Sequence, residues 1–403
     1  MNFAVSAAAA SPASVHWTEA NEAHTACWRS EAGVAPPRRI VVVDDTLKAD
    51  AALRLAGEGA ALLWRGDFHN ARQLLLAMAR RIDRKSSRPH KSDKSNKSDK
   101  SGKPVVTPTP RDAFQLHRQA QGQRARLLGS VLVLLDADGR LALPRAPDLR
   151  AACGQTWGEP QGQPCLVALR ELMGLVGAYE WRKKGVEIAA LGSGPNNRIH
   201  PHYGVFSPVR GEYLDLLAQE PLPGDALAFD IGTGTGVLAA VLARHGVRHV
   251  IATDCDPRAI ACARENIERL GLNGRVELLR ADLFPPGRAP LVVCNPPWLP
   301  ARPSAPVERA IYDEDSRMLR GFLEGLGQHL EPGGQGWLIL SDLAEHLGLR
   351  TRDELLAWIA AAGLRVLGRS DVRPRHPKAG DAGDRLHAAR AKEVTSLWRL
   401  AAA

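Results

Sequence analysis

Long apolar runs are missing from this sequence: across 403 residues nothing approaches the roughly 20 consecutive apolar residues of a membrane-spanning helix. C-x-x-C pairs are missing too. The six cysteines, Cys27, Cys153, Cys165, Cys255, Cys262 and Cys294, are scattered, which argues against a zinc site and fits reduced thiols in a cytoplasm. The alanine-rich stretch from Met1 to Ser14 has no Lys or Arg ahead of its short apolar part, so a secretory signal is not expected. A folded basic face is lacking despite the net charge of +9. Residues 80–103 hold ten Lys or Arg against three Asp, a local +7 that leaves only +2 for the rest of the chain.

What is present is ordinary for a globular chain, 44% apolar and 24% charged, and long enough for two domains. Residues 1–39 show little periodicity and are expected to be loose at the start. Ile40–Val43 and Ala60–Trp64 read as strands. From Phe68, the apolar residues Ala71, Leu74, Leu75, Met78 and Ile82 share one helical face, with Asp67 placed as N-cap. The segment 84–104 repeats Lys-Ser-Asp and Lys-Ser-Asn with nothing to bury, so it is expected to be disordered, as a solvated linker or as an arm that contacts RNA or a ribosome. Leu127–Leu135 and Leu141–Leu143, around Asp138-Gly139, read as a hairpin. The expected organisation is an α/β accessory domain over 1–160, interrupted at 84–104, then a helical connector over 161–222 and a second α/β domain over 223–403. The first of these carries no pattern that points to catalysis. In the connector, Pro164–Lys184 has helical spacing, and Ser207-Pro208 is expected to cap and open a helix running to about Ala218. His200 and His202 have no third ligand nearby, so no metal is expected; their loop is expected to cover a ligand pocket.

The rest of the chain is organised around Phe229-Asp230-Ile231-Gly232-Thr233-Gly234-Thr235-Gly236. The apolar run Ala226–Ile231 suits a buried strand, the glycines follow at once, and Val237–Arg244 reads as a helix. Glycines there let the backbone bend tightly and approach a nucleotide with no side chain in the way. A dinucleotide site wants G-x-G-x-x-G, but Val237 stands where its last glycine belongs, which argues against a nicotinamide-dependent oxidoreductase. Asp-x-Gly-x-Gly-x-Gly resembles instead the first motif of class I S-adenosylmethionine (SAM)-dependent methyltransferases, in which the acid contacts the methionine part of SAM.

Strands and helices then alternate strictly. Further strands are expected at His249–Thr253, Val276–Leu279, Leu291–Cys294, Gly336–Leu340, Leu364–Arg369 and Ser396–Leu400, with helices at Pro257–Leu270 and Arg352–Ala361. This predicts a parallel sheet covered on both faces, with ligands at the carboxyl ends of its strands. Asp230, Asp254, Asp282 and Asn295 all fall at such ends. Asp254 is placed to accept from both ribose hydroxyls, with Asp256 instead as the helix cap before Pro257. Asp282 is placed to accept from the adenine amino group, with Leu283 and Phe284 as walls of the ring. Each acid alone could equally end a strand or cap a helix; their common placement is what points to a ligand.

The sharpest motif is Val292-Val293-Cys294-Asn295-Pro296-Pro297-Trp298. It resembles the (Asp/Asn)-Pro-Pro-aromatic signature of methyltransferases that modify a nitrogen attached to a planar group. Such a nitrogen is a poor nucleophile because its lone pair is delocalised. The Asn295 side-chain oxygen and the Pro296 carbonyl can accept its N–H bonds, Pro296 and Pro297 stiffen the loop, and Trp298 offers a face for stacking. The resemblance covers about residues 200–400. It implies a seven-stranded, doubly wound Rossmann-like domain that holds SAM on Asp230, Gly232, Gly234, Gly236, Asp254 and Asp282 and presents Asn295, Pro296, Pro297 and Trp298 to the target. Tyr312–Phe322 resembles the release-factor glutamine methyltransferases. The N-terminal region is closer in size to the extra domain of rRNA guanine-N2 methyltransferases. The resemblance therefore implies a cytoplasmic N-methyltransferase, with a protein glutamine amide as the leading target and an rRNA or other nucleic-acid base as the alternative. A reading from another class is a non-catalytic RNA- or ribosome-binding protein on the same fold.

Overall fold

The structure, a computed structural model, describes residues 13–86, 109–194, 196–303, 306–375 and 384–403. The chain divides into two compact units, one of residues 1–107 and 118–179, the other of 108–117 and 180–403.

In the first unit the strands are β1 (Ser14–Glu19), β2 (Glu22–Arg29), β3 (Ile40–Val43), β4 (Ala61–Trp64), β5 (Val131–Leu135) and β6 (Cys165–Ala168), and they form one sheet in the order β1-β2-β6-β5-β4-β3. The helices are α1 (Ala49–Gly57), α2 (Phe68–Ser86), most of α3 (Pro110–Leu128), α4 (Arg150–Trp157) and the start of α5 (Leu169–Lys184). The expected N-cap holds, since the Asp67 carboxylate accepts from His69 N at 2.8 Å. Several expectations need correction. The start of the chain is not loose beyond residue 13: β1 and β2 form a hairpin whose inward residues Val15 and Trp17 are buried. Arg84–Ser86 belong to α2, while residues 87–104 of the Lys/Ser-rich segment lie outside the described residues. Leu127 and Leu128 close α3, and the hairpin shrinks to a single bridge between Leu135 and Leu141. The reason is local: Asp136 folds its side chain over the turn and accepts from Asp138 N and Arg140 N. Cys165–Ala168 is a strand, paired with β2 and β5, although it opens a stretch of helical spacing.

The second unit opens with a short pair, β7 (Val186–Glu187) and β8 (Arg198–Ile199), followed by α6 (Glu212–Gln219). The helix starts later than Ser207. Val209 N bonds back to Ser207 O, which makes a separate turn, and the first helical carbonyl to accept is that of Gly211. Then come β9 (Leu227–Ile231), α7 (Val237–His245), β10 (His249–Asp254), α8 (Pro257–Arg269), β11 (Val276–Arg280), β12 (Ala289–Cys294), α9 (Arg317–His329), β13 (Leu330–Ser341), α10 (Leu343–His346), α11 (Arg352–Ala361), β14 (Leu364–Val372), α12 (His387–Arg390) and β15 (Thr395–Ala402).

Seven strands form one sheet, β11-β10-β9-β12-β13-β15-β14. The first five are parallel, but β15 runs antiparallel to both β13 and β14, so the sheet is not wholly parallel. Alternate residues feed opposite layers. Ala228, Leu291, Val293, Trp337 and Ile339 pack under α6 and α7. Phe229, Ile231, Val292, Cys294 and Leu338 pack under α9 and α11. Both faces being covered explains why these strands read as unbroken apolar runs. The chain steps from β9 outward to β10 and β11, then returns to the other side of β9 at β12. The sheet's switch point therefore lies between β9 and β12, and it is at the carboxyl ends there that a ligand crevice belongs. Among the described residues, no helix is long and apolar enough to cross a membrane.

Candidate active site

The loops after β9 and β12 flank that switch point. After β9 come Gly232, Gly234 and Gly236, with φ of +73°, +56° and +81°, a region L side chains rarely adopt. A Cβ on Gly232 would collide with Met318 Cε, and one on Gly236 would press on Ala263 at 3.2 Å. A Cβ on Gly234 would meet nothing within 4 Å. The turn is thus packed against the protein on two sides and bare toward open space at its middle glycine, as a backbone cradle for a nucleotide requires.

Asp230 follows the strand's alternation onto the α7 side and is completely buried. Its Oδ2 accepts from Thr233 Oγ1 (2.7 Å) and Ala239 N (3.0 Å), while Oδ1 has no partner. Burial raises its pKa to about 7, outweighing those two bonds. In the unfolded chain the same carboxyl titrates near 4. The folded state therefore binds more protons between these pH values, and stability falls as pH rises through that window and levels off above it. Urea midpoints measured at pH 5 and pH 8 should differ by less in Asp230→Asn than in the native protein; an undiminished difference would remove Asp230 as its source.

Asp254 ends β10 and ties the glycine turn to it. Its Oδ2 accepts from Gly234 N (3.0 Å) and its Oδ1 from Asp256 N (2.9 Å). Each oxygen keeps a lone pair for a further donor. Burial raises its pKa, opposed by those backbone bonds. Asp256 caps α8, accepting from Arg258 N. Asp282 is exposed beyond β11, its carboxylate 3.6 Å from Arg317. Leu283 next to it adopts φ +70° and its carbonyl accepts from Thr253 Oγ1. The Phe284 ring stacks on His329 at 4.4 Å and on Phe322 at 5.9 Å, so it belongs to the α9 layer.

After β12, Asn295 is half-buried and Pro296 buried. The Asn295 Oδ1 accepts from Trp298 Nε1 at 2.9 Å. The Trp298 ring packs on both core layers and lies under the Arg210 guanidinium, 5.3 Å from its carbon. Leu299 pairs with Tyr312, and Asp313 then caps α9 through Met318 N and Leu319 N. That cap delivers Met318 to Gly232, so the two loops are physically joined.

Several residues of this site carried no signal in the sequence. Asn266 is fully buried on α8, takes His200 N on its Oδ1 (2.7 Å) and gives Nδ2 to Thr235 O (3.0 Å). It fastens the His200–Tyr203 loop to the glycine turn. His200 Nδ1 lies 2.6 Å from Arg182 O, and His202 Nε2 lies 2.8 Å from Glu265. Among the described residues no group of three or more His, Cys, Asp or Glu is arranged to hold a metal. Arg210 is the other unforeseen member, while Asp313 and Met318 lie in the Tyr312–Phe322 segment, which the sequence marks only by resemblance and without a role for either.

A family model described as ribosomal protein L11 methyltransferase (PrmA) matches residues 213–296, from α6 to the first proline after β12. The chain is 32% identical over 153 residues to the release factor glutamine methyltransferase of Cereibacter sphaeroides, covering 34% of this chain and 52% of that protein. It is 44% identical over 84 residues to the ribosomal protein L11 methyltransferase of Pelotomaculum thermopropionicum, covering 20% of this chain and 27% of that one. It is 32% identical over 143 residues to the ribosomal RNA small subunit methyltransferase C of Alcanivorax borkumensis, covering 34% and 40%. The chain spans about half the length of the first of these relatives and less of the other two. Over these matched stretches the chain is similar to the release-factor, L11 and rRNA methyltransferases, and the seven-stranded sheet with its glycine cradle is the arrangement that a resemblance to the class I SAM-dependent methyltransferases implies. The cofactor of that class is SAM, and the residues present fit it: a bare glycine backbone, an acid with two free lone pairs and a buried carboxylate oxygen without a partner.

Proposed function

We propose that the chain methylates a planar nitrogen, with a protein glutamine amide as its target. The observation that carries this reading is the position of Asn295: a carboxamide oxygen at the end of β12, across the switch point from the glycine cradle, on a loop stiffened by Pro296 and Pro297. Gly232, Gly234, Gly236 and Asp230 would hold the methionine end of SAM, Asp254 the ribose hydroxyls and Asp282 the adenine amino group. When bound, SAM supplies a sulfonium methyl reactive enough that no protein general base is required. The chain's part is to place the acceptor. Asn295 Oδ1 and the Pro296 carbonyl accept the N–H bonds of the target and so direct its lone pair away from them. Positioning of this kind is worth on the order of 7–11 kcal/mol of a barrier.

The charge around the loop supports a protein rather than a nucleic-acid target. Residues 295–325 hold Arg302, Arg309, Arg317 and Arg320 against Glu308, Asp313, Glu314, Asp315 and Glu324. A phosphate backbone wants a surplus of positive charge beside the site, and the 295–325 segment carries none.

The test is incubation of the purified protein with tritiated-methyl SAM and cell extract, followed by nuclease or protease digestion. Label that survives nuclease and is lost to protease, and that maps to glutamine by mass spectrometry, is the expected result. Label confined to nucleic acid would overturn the choice of target in favour of an rRNA or other base. Absence of SAM binding, with RNA retention that disappears on deleting residues 84–104, would replace the enzyme by a binding protein.

A further inference from the structure

An indole N–H is a donor only, so the atom it meets on an asparagine must be the carbonyl oxygen. The 2.9 Å contact from Trp298 Nε1 to Asn295 Oδ1 therefore decides which way round the Asn295 carboxamide lies. It occupies one lone pair of the oxygen and leaves the other for an incoming N–H. Trp298 is in turn held by Arg210, whose planar cation lies over the indole ring. Arg210 cannot swing away. Its Nε donates to Glu212 Oε1 at 3.1 Å, and both terminal nitrogens donate to Glu393 Oε1 at 3.2 Å. Glu393 also accepts from Ser341 Oγ at 2.8 Å, at the end of β13. Both carboxylates are buried, Glu212 at 5% exposure and Glu393 at 3%.

An arginine between two buried carboxylates is a costly way to fill space, because apolar side chains of the same volume would hold the loop at least as well. What the arginine adds is a fixed planar cation at the indole face. Resting on the methyl-transfer reading above, we propose that Arg210 is a positioning residue: braced by Glu212 and Glu393, it fixes Trp298, and the Trp298 N–H fixes the Asn295 carboxamide with its oxygen presented to the acceptor nitrogen.

Two variants separate this from a purely structural role. Trp298→Phe keeps a ring under Arg210 and deletes the N–H. Arg210→Lys keeps a charge between the carboxylates and loses the planar face. Nitrogen-15 TROSY spectra need no methyl acceptor: the Trp298 indole resonance, identified by its absence in Trp298→Phe, should shift and exchange faster with water in Arg210→Lys, as it should in Asn295→Ala. On the acceptor protein labelled in the tritium assay, kcat should fall on the order of 10–100-fold in both Trp298→Phe and Arg210→Lys. The dissociation constant for S-adenosylhomocysteine should stay within about 3-fold in both, since neither residue is placed on the cofactor. An indole resonance unchanged in Arg210→Lys, or a native kcat in Trp298→Phe, would overturn the positioning role alone. A native protein that transfers no methyl group to anything would instead overturn the functional reading on which it rests.

Discussion

Asn295→Ala should lower methyl transfer by about 10²–10³-fold or more while S-adenosylhomocysteine binds within about 3-fold of the native affinity. The size follows from what is removed. A single preorganised hydrogen-bonding group aimed at the reacting centre is worth about 10²–10³ in kcat, and Asn295 Oδ1 is one of only two acceptors the loop would offer to the target N–H bonds. The alanine also strands the Trp298 indole N–H, whose partner it was, so ring and loop lose their common anchor. The effect is confined to one side of the crevice because the cradle is built from other elements: the glycine turn is tied down by Asp254, Thr233 and Asn266, none of which bonds to Asn295. Initial rates at saturating SAM, calorimetry with S-adenosylhomocysteine and a thermal melt separate chemistry from binding and folding. Asn295→Asp keeps two acceptor oxygens and should retain more activity than the alanine. An alanine variant that turns over at the native rate would sink the role given to Asn295, whatever its effect on stability.

The seven-stranded sheet is legible in the sequence because its central strands are buried on both faces and so appear as short apolar runs closed by Gly, Asp or Asn. Ala226–Ile231 and Leu291–Cys294 were found within a residue or two on that signal alone. Strand direction has no such signal: Ser396–Leu400 reads the same whether it runs parallel or, as it does, antiparallel between β13 and β14. The N-terminal hairpin was missed although Val15 and Trp17 alternate with exposed His16 and Thr18. Its turn is made by Ala20 and Asn21, both at positive φ, and alanine in such a position is no cue for a hairpin. Cys165–Ala168 is not separable from the helix after it by pattern, because a four-residue apolar run followed by leucines at helical spacing does not distinguish strand from helix.

The site divides along the same line. Asp230, Asp254 and Asn295 could be picked out because each ends a strand of known period. Arg210 over Trp298, Met318 against Gly232 and Asn266 between His200 and Thr235 join residues far apart in the chain. No local pattern encodes such contacts. They follow only once the return of the chain from β11 to β12 has brought the two loops face to face.

The cradle's own largest effect should come from Asp254→Ala, with SAM and S-adenosylhomocysteine affinity reduced about 100-fold or more. A carboxylate accepting from two ribose hydroxyls makes two charge-assisted bonds, each worth roughly 1.5–3 kcal/mol, and about 1.4 kcal/mol is tenfold in binding. The substitution acts a second time through the protein, because Gly234 N loses its acceptor and the middle of the glycine turn is released at the one point where it faces open space. Asp254→Asn keeps an acceptor for Gly234 N but lacks the charge, so its loss should be smaller. The pH dependence has a definite sign. Burial raises the Asp254 pKa, and the ionised form is the one that accepts from both hydroxyls, so affinity should be full at pH 8 and decline on acidification, beginning at a higher pH than for an ordinary carboxylate. Calorimetric titration with S-adenosylhomocysteine at pH 8 and pH 5, on the native protein and on both variants, measures all of this at once. Native affinity in Asp254→Ala would mean that the ribose is held elsewhere. No binding by the folded native protein at either pH would mean that the cradle has kept its shape and lost its ligand.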